Sequence, residues 1–142
     1  MKFHSLLPFA FILAPAHADI IWTGTTSNDV FDESNWDFTG SSVTTIDPNV
    51  TIEDNLVIAN AANPVEIPDI GGQGRLQLGD GWSLTVDNSS LTSLGNDGVG
   101  GVPGTANGPT IRVINGGAFN PYFIVNDVHL EIVQWSSATF GG

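Results

Sequence analysis

From residue 50 onward the chain alternates aliphatic and polar residues in short runs, and Asn, Asp, Gly or Pro closes each run. Val50-Thr51-Ile52, Leu56-Val57-Ile58 and Val65-Glu66-Ile67 come first. Arg75-Leu76-Gln77-Leu78, Trp82 to Val86, Thr110 to Ile114, Tyr122 to Val125 and Val128 to Val133 follow. Period two is the signature of a strand with one buried face. It places Val128, Leu130 and Ile132 on one face and His129 and Glu131 on the other. Apolar residues at helical spacing, free of Gly, Pro or β-branched clusters, are missing, so the fold class read from the pattern is all-β.

The runs are too short for long hairpins, and two of them resemble each other. Leu76-Gln77-Leu78-Gly79-Asp80-Gly81 and Ile111-Arg112-Val113-Ile114-Asn115-Gly116 share the order aliphatic, polar, aliphatic, any residue, Asp or Asn, Gly. The Gly-rich stretch 95–109 between them reads as an inserted loop, and without it the offset is about one 20-residue solenoid coil. Brief strands with Asn, Asp and Gly corners suit a parallel β-helix, because those residues tolerate positive φ. A β-sandwich is the alternative, with Asp80-Gly81 and Asn115-Gly116 as hairpin turns.

The first eighteen residues follow another pattern: Lys2, an apolar run from Leu6 to Leu13, then Ala16-His17-Ala18 before Asp19. This is the layout of a secretory signal peptide, and its apolar run is far short of the roughly 20 residues that span a bilayer. The reading divides the chain into a signal at 1–18, a Trp-rich cap segment at 19–49, and coils at 50–142. Localisation is therefore expected to be secreted or cell-surface.

Composition narrows the partners. All fifteen Asp and Glu lie past residue 18 with only Arg75 and Arg112 against them, leaving the mature chain at −13. Such a field disfavours nucleic acid and anionic headgroups and favours cations or neutral glycans. No cysteine is present, which removes disulfides, thiolate metal sites and cysteine catalysis.

Between Ile20 and Gly40, Trp22-Thr23-Gly24 is followed by Val30-Phe31-Asp32-Glu33-Ser34-Asn35-Trp36. This resembles the N-terminal segment of exported bacterial β-solenoid surface proteins, including autotransporter passengers and PEP-CTERM-type secreted proteins. These carry a W-x-G…N-W stretch after the signal peptide. Phe31 stands where many relatives have tryptophan. The resemblance implies that Trp22, Phe31 and Trp36 cap the first coil, with Asn35 and Gly24 shaping its turns. Large rings suit that task, since the end of a solenoid would otherwise open its apolar interior to water. The rival reading of the same rings is a sugar-binding platform.

Candidate chemistry is sparse. Asp29, Asp32, Glu33 and Asp37 cluster closely enough in sequence to suggest a calcium site, with Asn96-Asp97-Gly98 a weaker second, although neither has EF-hand spacing. The glycine-rich loop 95–104 carries no cation for a phosphate. His129 beside Glu131 is a surface pair or half a proton-transfer couple. Basic groups for lyase-type chemistry reduce to Arg75 and Arg112, and the stretches typical of polygalacturonase-like β-helices are missing. Trp82 is expected in the core. Trp36 and Trp135 are the rings expected to meet a glycan if any do. The last residues, Ser136 to Gly142, read as the start of a further coil. The expected function is a non-enzymatic scaffold, spacer or adhesin stalk, partnered by a neutral glycan, a cell-surface component or further coils. A carbohydrate-binding module is the alternative, and a polysaccharide-degrading β-helix stands behind it.

Overall fold

A computed structural model describes residues 17–71 and 74–141. The apolar run and most of the expected signal peptide lie outside the described residues. Fourteen short strands and one 3-10 turn make up the regular structure: β1 (Ile20–Trp22), the turn Glu33–Asn35, β2 (Trp36–Asp37), β3 (Thr51–Ile52), β4 (Leu56–Ala59), β5 (Val65–Ile67), β6 (Arg75–Leu78), β7 (Ser83–Asp87), β8 (Ser90–Ser93), β9 (Gly98–Gly100), β10 (Thr110–Ile114), β11 (Ala118–Asn120), β12 (Phe123–Val125), β13 (His129–Ile132) and β14 (Ser137–Ala138). The protein is all-β. Among the described residues, no helix is long and apolar enough to cross a membrane.

The strands fall into three sheets. Sheet A runs β13-β10-β7-β4-β1-β2, sheet B runs β14-β11-β8-β5, and sheet C runs β12-β9-β6-β3. Every pairing between named strands is parallel except β1 with β2. From β3 to β14 the chain visits C, A and B in unbroken rotation. Asp80-Gly81 and Asn115-Gly116 therefore carry the chain from one sheet to another instead of closing hairpins, which removes the turns on which the sandwich alternative rested.

Register aligns like with like. In sheet A, Ile20, Leu56, Leu84, Ile111 and Leu130 are successive cross-strand partners. Val65, Leu91, Phe119 and Ala138 form the equivalent row in sheet B. In sheet C, Leu76, Val99 and Ile124 follow one another. Residues from all three sheets join one hydrophobic core, in which Ile20, Leu56, Leu84, Ile111, Phe119 and Val99 are fully buried. A one-residue slip would turn each row outward, so burial fixes the register.

Three expectations are corrected. The segment 95–109 is not wholly a loop, since Gly98–Gly100 forms β9 and Val99 is fully buried. Its glycines are required because a side chain at 98 would run into the carbonyl oxygen and ring of Phe123, and one at 100 would meet Val125. The two look-alike runs are not equivalent, for β6 lies in sheet C and β10 in sheet A. Cross-strand steps in sheet A are 28 residues from Leu56 to Leu84 and 27 from there to Ile111; only the step to Leu130, at 19, approaches the expected coil length. Finally, Trp82 is half-buried at a corner and not in the core. It precedes β7, and its ring meets His17 edge-on at 5.2 Å.

Candidate functional site: the N-terminal plug and the outer wall

The segment from Ile20 to Gly40, termed the plug here for its pairing along β1 and β5, is built on Asn35. Its side-chain oxygen accepts hydrogen bonds from the backbone N–H of Thr26 (2.9 Å) and Ser27 (3.0 Å). Its amide nitrogen donates to Ser27 Oγ and the Asp29 carbonyl. Its own carbonyl accepts from Thr23 and Gly24 N–H. Asp32 N-caps the short turn by accepting from Ser34 N–H. Gly24 sits at φ +60°, where a side chain would also strike the Trp22 indole at 2.7 Å.

This scaffold clamps two rings. Trp22 and Trp36 meet edge to face, with centroids 5.0 Å apart and planes at 82°, a favourable quadrupole arrangement. The Trp36 Nε1–H donates to the Val30 carbonyl at 2.9 Å. Trp36 is 6% exposed, so it offers no free face to a sugar; as a glycan-stacking ring it is misplaced. Phe31 is half-buried against the same core. The segment also covers sheet edges: β2 pairs antiparallel along β1, and Asn28 to Val30 bonds to both sides of Glu66 on β5.

Three of the four acidic residues expected around a calcium ion, Asp29, Asp32 and Asp37, are engaged one by one in local turns. Asp29 Oδ1 accepts from Phe31 N–H, Asp37 Oδ1 from Thr39 N–H, and Asp32 from Ser27 Oγ and Ser34 N–H. Glu33 points to solvent. Among the described residues no three His, Cys, Asp or Glu converge as metal ligands. The Ser34 and Ser27 hydroxyls hold the Asp32 carboxyl below its ordinary range, and Thr39 does the same for Asp37. Asp97, from the weaker calcium candidate, is fully buried and accepts from Gly74 N–H (2.6 Å) and Ile70 N–H (3.3 Å). It ties the chain on either side of the sheet C corner, a role that Asn-Asp-Gly in a glycine-rich stretch does not advertise.

Sheet A carries the ionisable side chains expected on one outer face. Glu131 is a cross-strand partner of Arg112, and Arg112 Nε donates to Glu131 Oε2 at 2.9 Å. His129 Nε2 lies 3.5 Å from Glu131 Oε1. All three are at least partly solvent-exposed, so the trio forms a surface strip on sheet A. Arg75 is elsewhere, on β6 in sheet C, and its Nε is buried without a hydrogen-bond partner among the described residues. Trp135 is fully exposed, at φ +62° in the corner after β13.

A shallow cleft of about 200 Å³ opens beside the plug, where sheet A hands over to sheet B. Trp22, Asn28, Asn60 and Asn63 line it, so it offers amides and an indole edge to a neutral polar group. Nothing in the linear sequence brings these four residues together. Compared with protein-family models, curated proteins and solved structures, the chain matches none.

Proposed function

We propose that this chain is a secreted or cell-surface β-solenoid module, a non-enzymatic scaffold, spacer or stalk of the kind its N-terminal segment resembles. The observation that carries the reading is the unbroken rotation C, A, B from β3 to β14, with parallel pairing at each return. Such an order is what a chain wound as a series of three-sided coils produces, each coil covering the apolar row of the one before. Buried polar groups support the same reading, because Asn35, Asp54 and Asp97 are spent on internal hydrogen bonds. The outward row of sheet A runs Ile21, Val57, Thr85, Arg112 and Glu131, a mixed surface ending in one ion pair.

A carbohydrate-binding role is the second reading, and one observation favours it: Trp135 presents its whole ring to solvent. One experiment addresses both. Trp22 and Trp36 are expected to emit blue-shifted and resist acrylamide, while Trp135 is quenched. Under the scaffold reading a panel of neutral polysaccharides leaves that quenching unchanged. Glycan protection of Trp135, lost in Trp135→Ala, would move the assignment to sugar binding. Release of reducing ends from any polysaccharide would overturn the non-enzymatic reading.

A further inference from the structure

We propose that the cleft between the plug and the corner after β4 binds one neutral sugar ring, holding its hydroxyls through the Trp22 indole N–H and the side-chain amides of Asn28, Asn60 and Asn63. Its volume is about 200 Å³, below the roughly 300 Å³ at which pockets for drug-sized ligands begin. A single pyranose unit is the scale of ligand it admits. Unspent hydrogen-bonding groups carry the argument. Trp22 is 7% exposed, and its Nε1, unlike that of Trp36, has no hydrogen-bond partner among the described residues. Nε1 lies against Gly24, where a side chain would come within 2.7 Å of it, and Gly24 is itself part of the cleft wall. A nearly buried donor left without a partner is the group that gains most from a ligand oxygen. The half-buried Asn28 and the exposed Asn63 also keep their amides without a partner among the described residues. The amides of Asn35, Asn55, Asn88 and Asn115, by contrast, are bonded within the fold. Asn60 spends only its oxygen, on Asn88.

The wall selects the ligand class. None of its nine lining residues is ionisable, although the chain carries fifteen Asp and Glu. A metal ion and a phosphate therefore both lack a counter-charge there. Side-chain amides donate and accept at once, which matches hydroxyls that do the same. Ala59, Ala61 and Ala62 complete the lining with small apolar side chains, leaving room for the C–H side of a ring. Trp22 contributes its N–H edge and no stacking face, since the ring itself is nearly buried. An extended peptide fits less well, because such segments dock by pairing with an open strand edge. Here β1 is paired on both sides, with β2 and β4, and β4 is paired with β1 and β7.

The site goes beyond the scaffold role and does not rest on it, and it uses no part of Trp135. Nitrogen-15 NMR of the full chain tests it, since each of the four tryptophans gives its own indole N–H signal. The methyl glycosides of glucose, galactose, mannose and N-acetylglucosamine serve as probes, titrated to about 20 mM so that a millimolar Kd is read. At least one is expected to shift the Trp22 indole signal and the Asn28 and Asn63 amide signals saturably, with the Trp135 signal unmoved. Ala62→Arg, at an exposed position in the wall, should weaken that binding by about tenfold or more, and Asn63→Ala by about threefold. Unchanged far-ultraviolet dichroism confirms that both variants fold, and Trp135→Ala should bind as the parent chain does. A Trp22 signal that no glycoside moves, an affinity that Ala62→Arg leaves intact, shifts confined to Trp135, or equal shifts with a neutral Gly-Ser peptide would each overturn the proposal.

Discussion

Asn35 illustrates how much of the plug rests on one side chain. It is fully buried, and its amide serves two backbone donors and two acceptors in the loop that positions both tryptophans. Asn35→Ala would strand the Thr26 and Ser27 N–H groups and leave a void, so a loss of roughly 2–3 kcal/mol is expected. The shift in urea midpoint measures it. Asn35→Asp keeps the acceptor but loses both donors, and should fall between wild type and Ala. Asp32 adds a pH dependence. Its folded pKa lies below the ordinary 3.8, mainly through the Ser34 and Ser27 hydroxyls. The stabilisation is therefore fully present above the unfolded value and is lost as pH falls through the folded one. Urea midpoints should decline below about pH 4. In an Asp32→Asn, Asp37→Asn double variant that acid-dependent decline should be smaller; an identical decline would show that neither carboxylate contributes.

At the scale of the element, corners and close approaches decide what each strand tolerates. Asn60, Asn88 and Asn115 take φ of 53°, 45° and 53° where the chain leaves sheet A, and Asn88 Nδ2 donates to Asn60 Oδ1 at 2.9 Å. Left-handed backbone costs a residue with a Cβ roughly 1–2 kcal/mol unless it is Asn or Asp. Asn88→Gly should thus be tolerated better than Asn88→Ala, although both lose the amide bond; thermal denaturation would rank them. In β9, Gly98→Ala is expected to cost about 1–3 kcal/mol through overpacking against Phe123. The same strand shows what the sequence could and could not reveal. Strands with two inward aliphatics, such as β4, β6, β7 and β10, stand out by their alternation. β8, β9 and β11 bury one large side chain each, Leu91, Val99 and Phe119, between polar or tiny residues, so no period exists to detect. They are strands because a neighbouring strand pairs with them, which is tertiary information. In the plug, Trp22, Asn35 and Trp36 are buried, as a packing role expected of large rings in a short apolar segment requires. The engagement of Asp29, Asp32 and Asp37 each in its own turn was not legible, because proximity in sequence says nothing about which way a carboxylate faces.

For the whole molecule, the decisive quantity is how a chain so short of cations holds parallel strands together. Thirteen of the fifteen carboxylates lie between Asp19 and Asp97, and the bridge between Asp29 and Glu66 sets two of them side by side at the spacing of neighbouring strands, about 4.8 Å. Only Arg75 shares that stretch. Compactness here depends on the buried aliphatic rows outweighing a repulsion that water and salt must screen. Raising sodium chloride from about 10 mM to about 0.5 M shrinks the screening length from roughly 30 Å to under 8 Å, and the melting temperature should rise with it. Calcium offers a sharper form of the same test. If the acidic residues are solvated turn groups, as their separate hydrogen bonds imply, calcium chloride at matched ionic strength should raise the melting temperature no further than sodium chloride does. A larger, saturable rise at millimolar calcium, abolished by Asp29→Asn or Asp32→Asn, would mean that turns around the plug rearrange to share a cation.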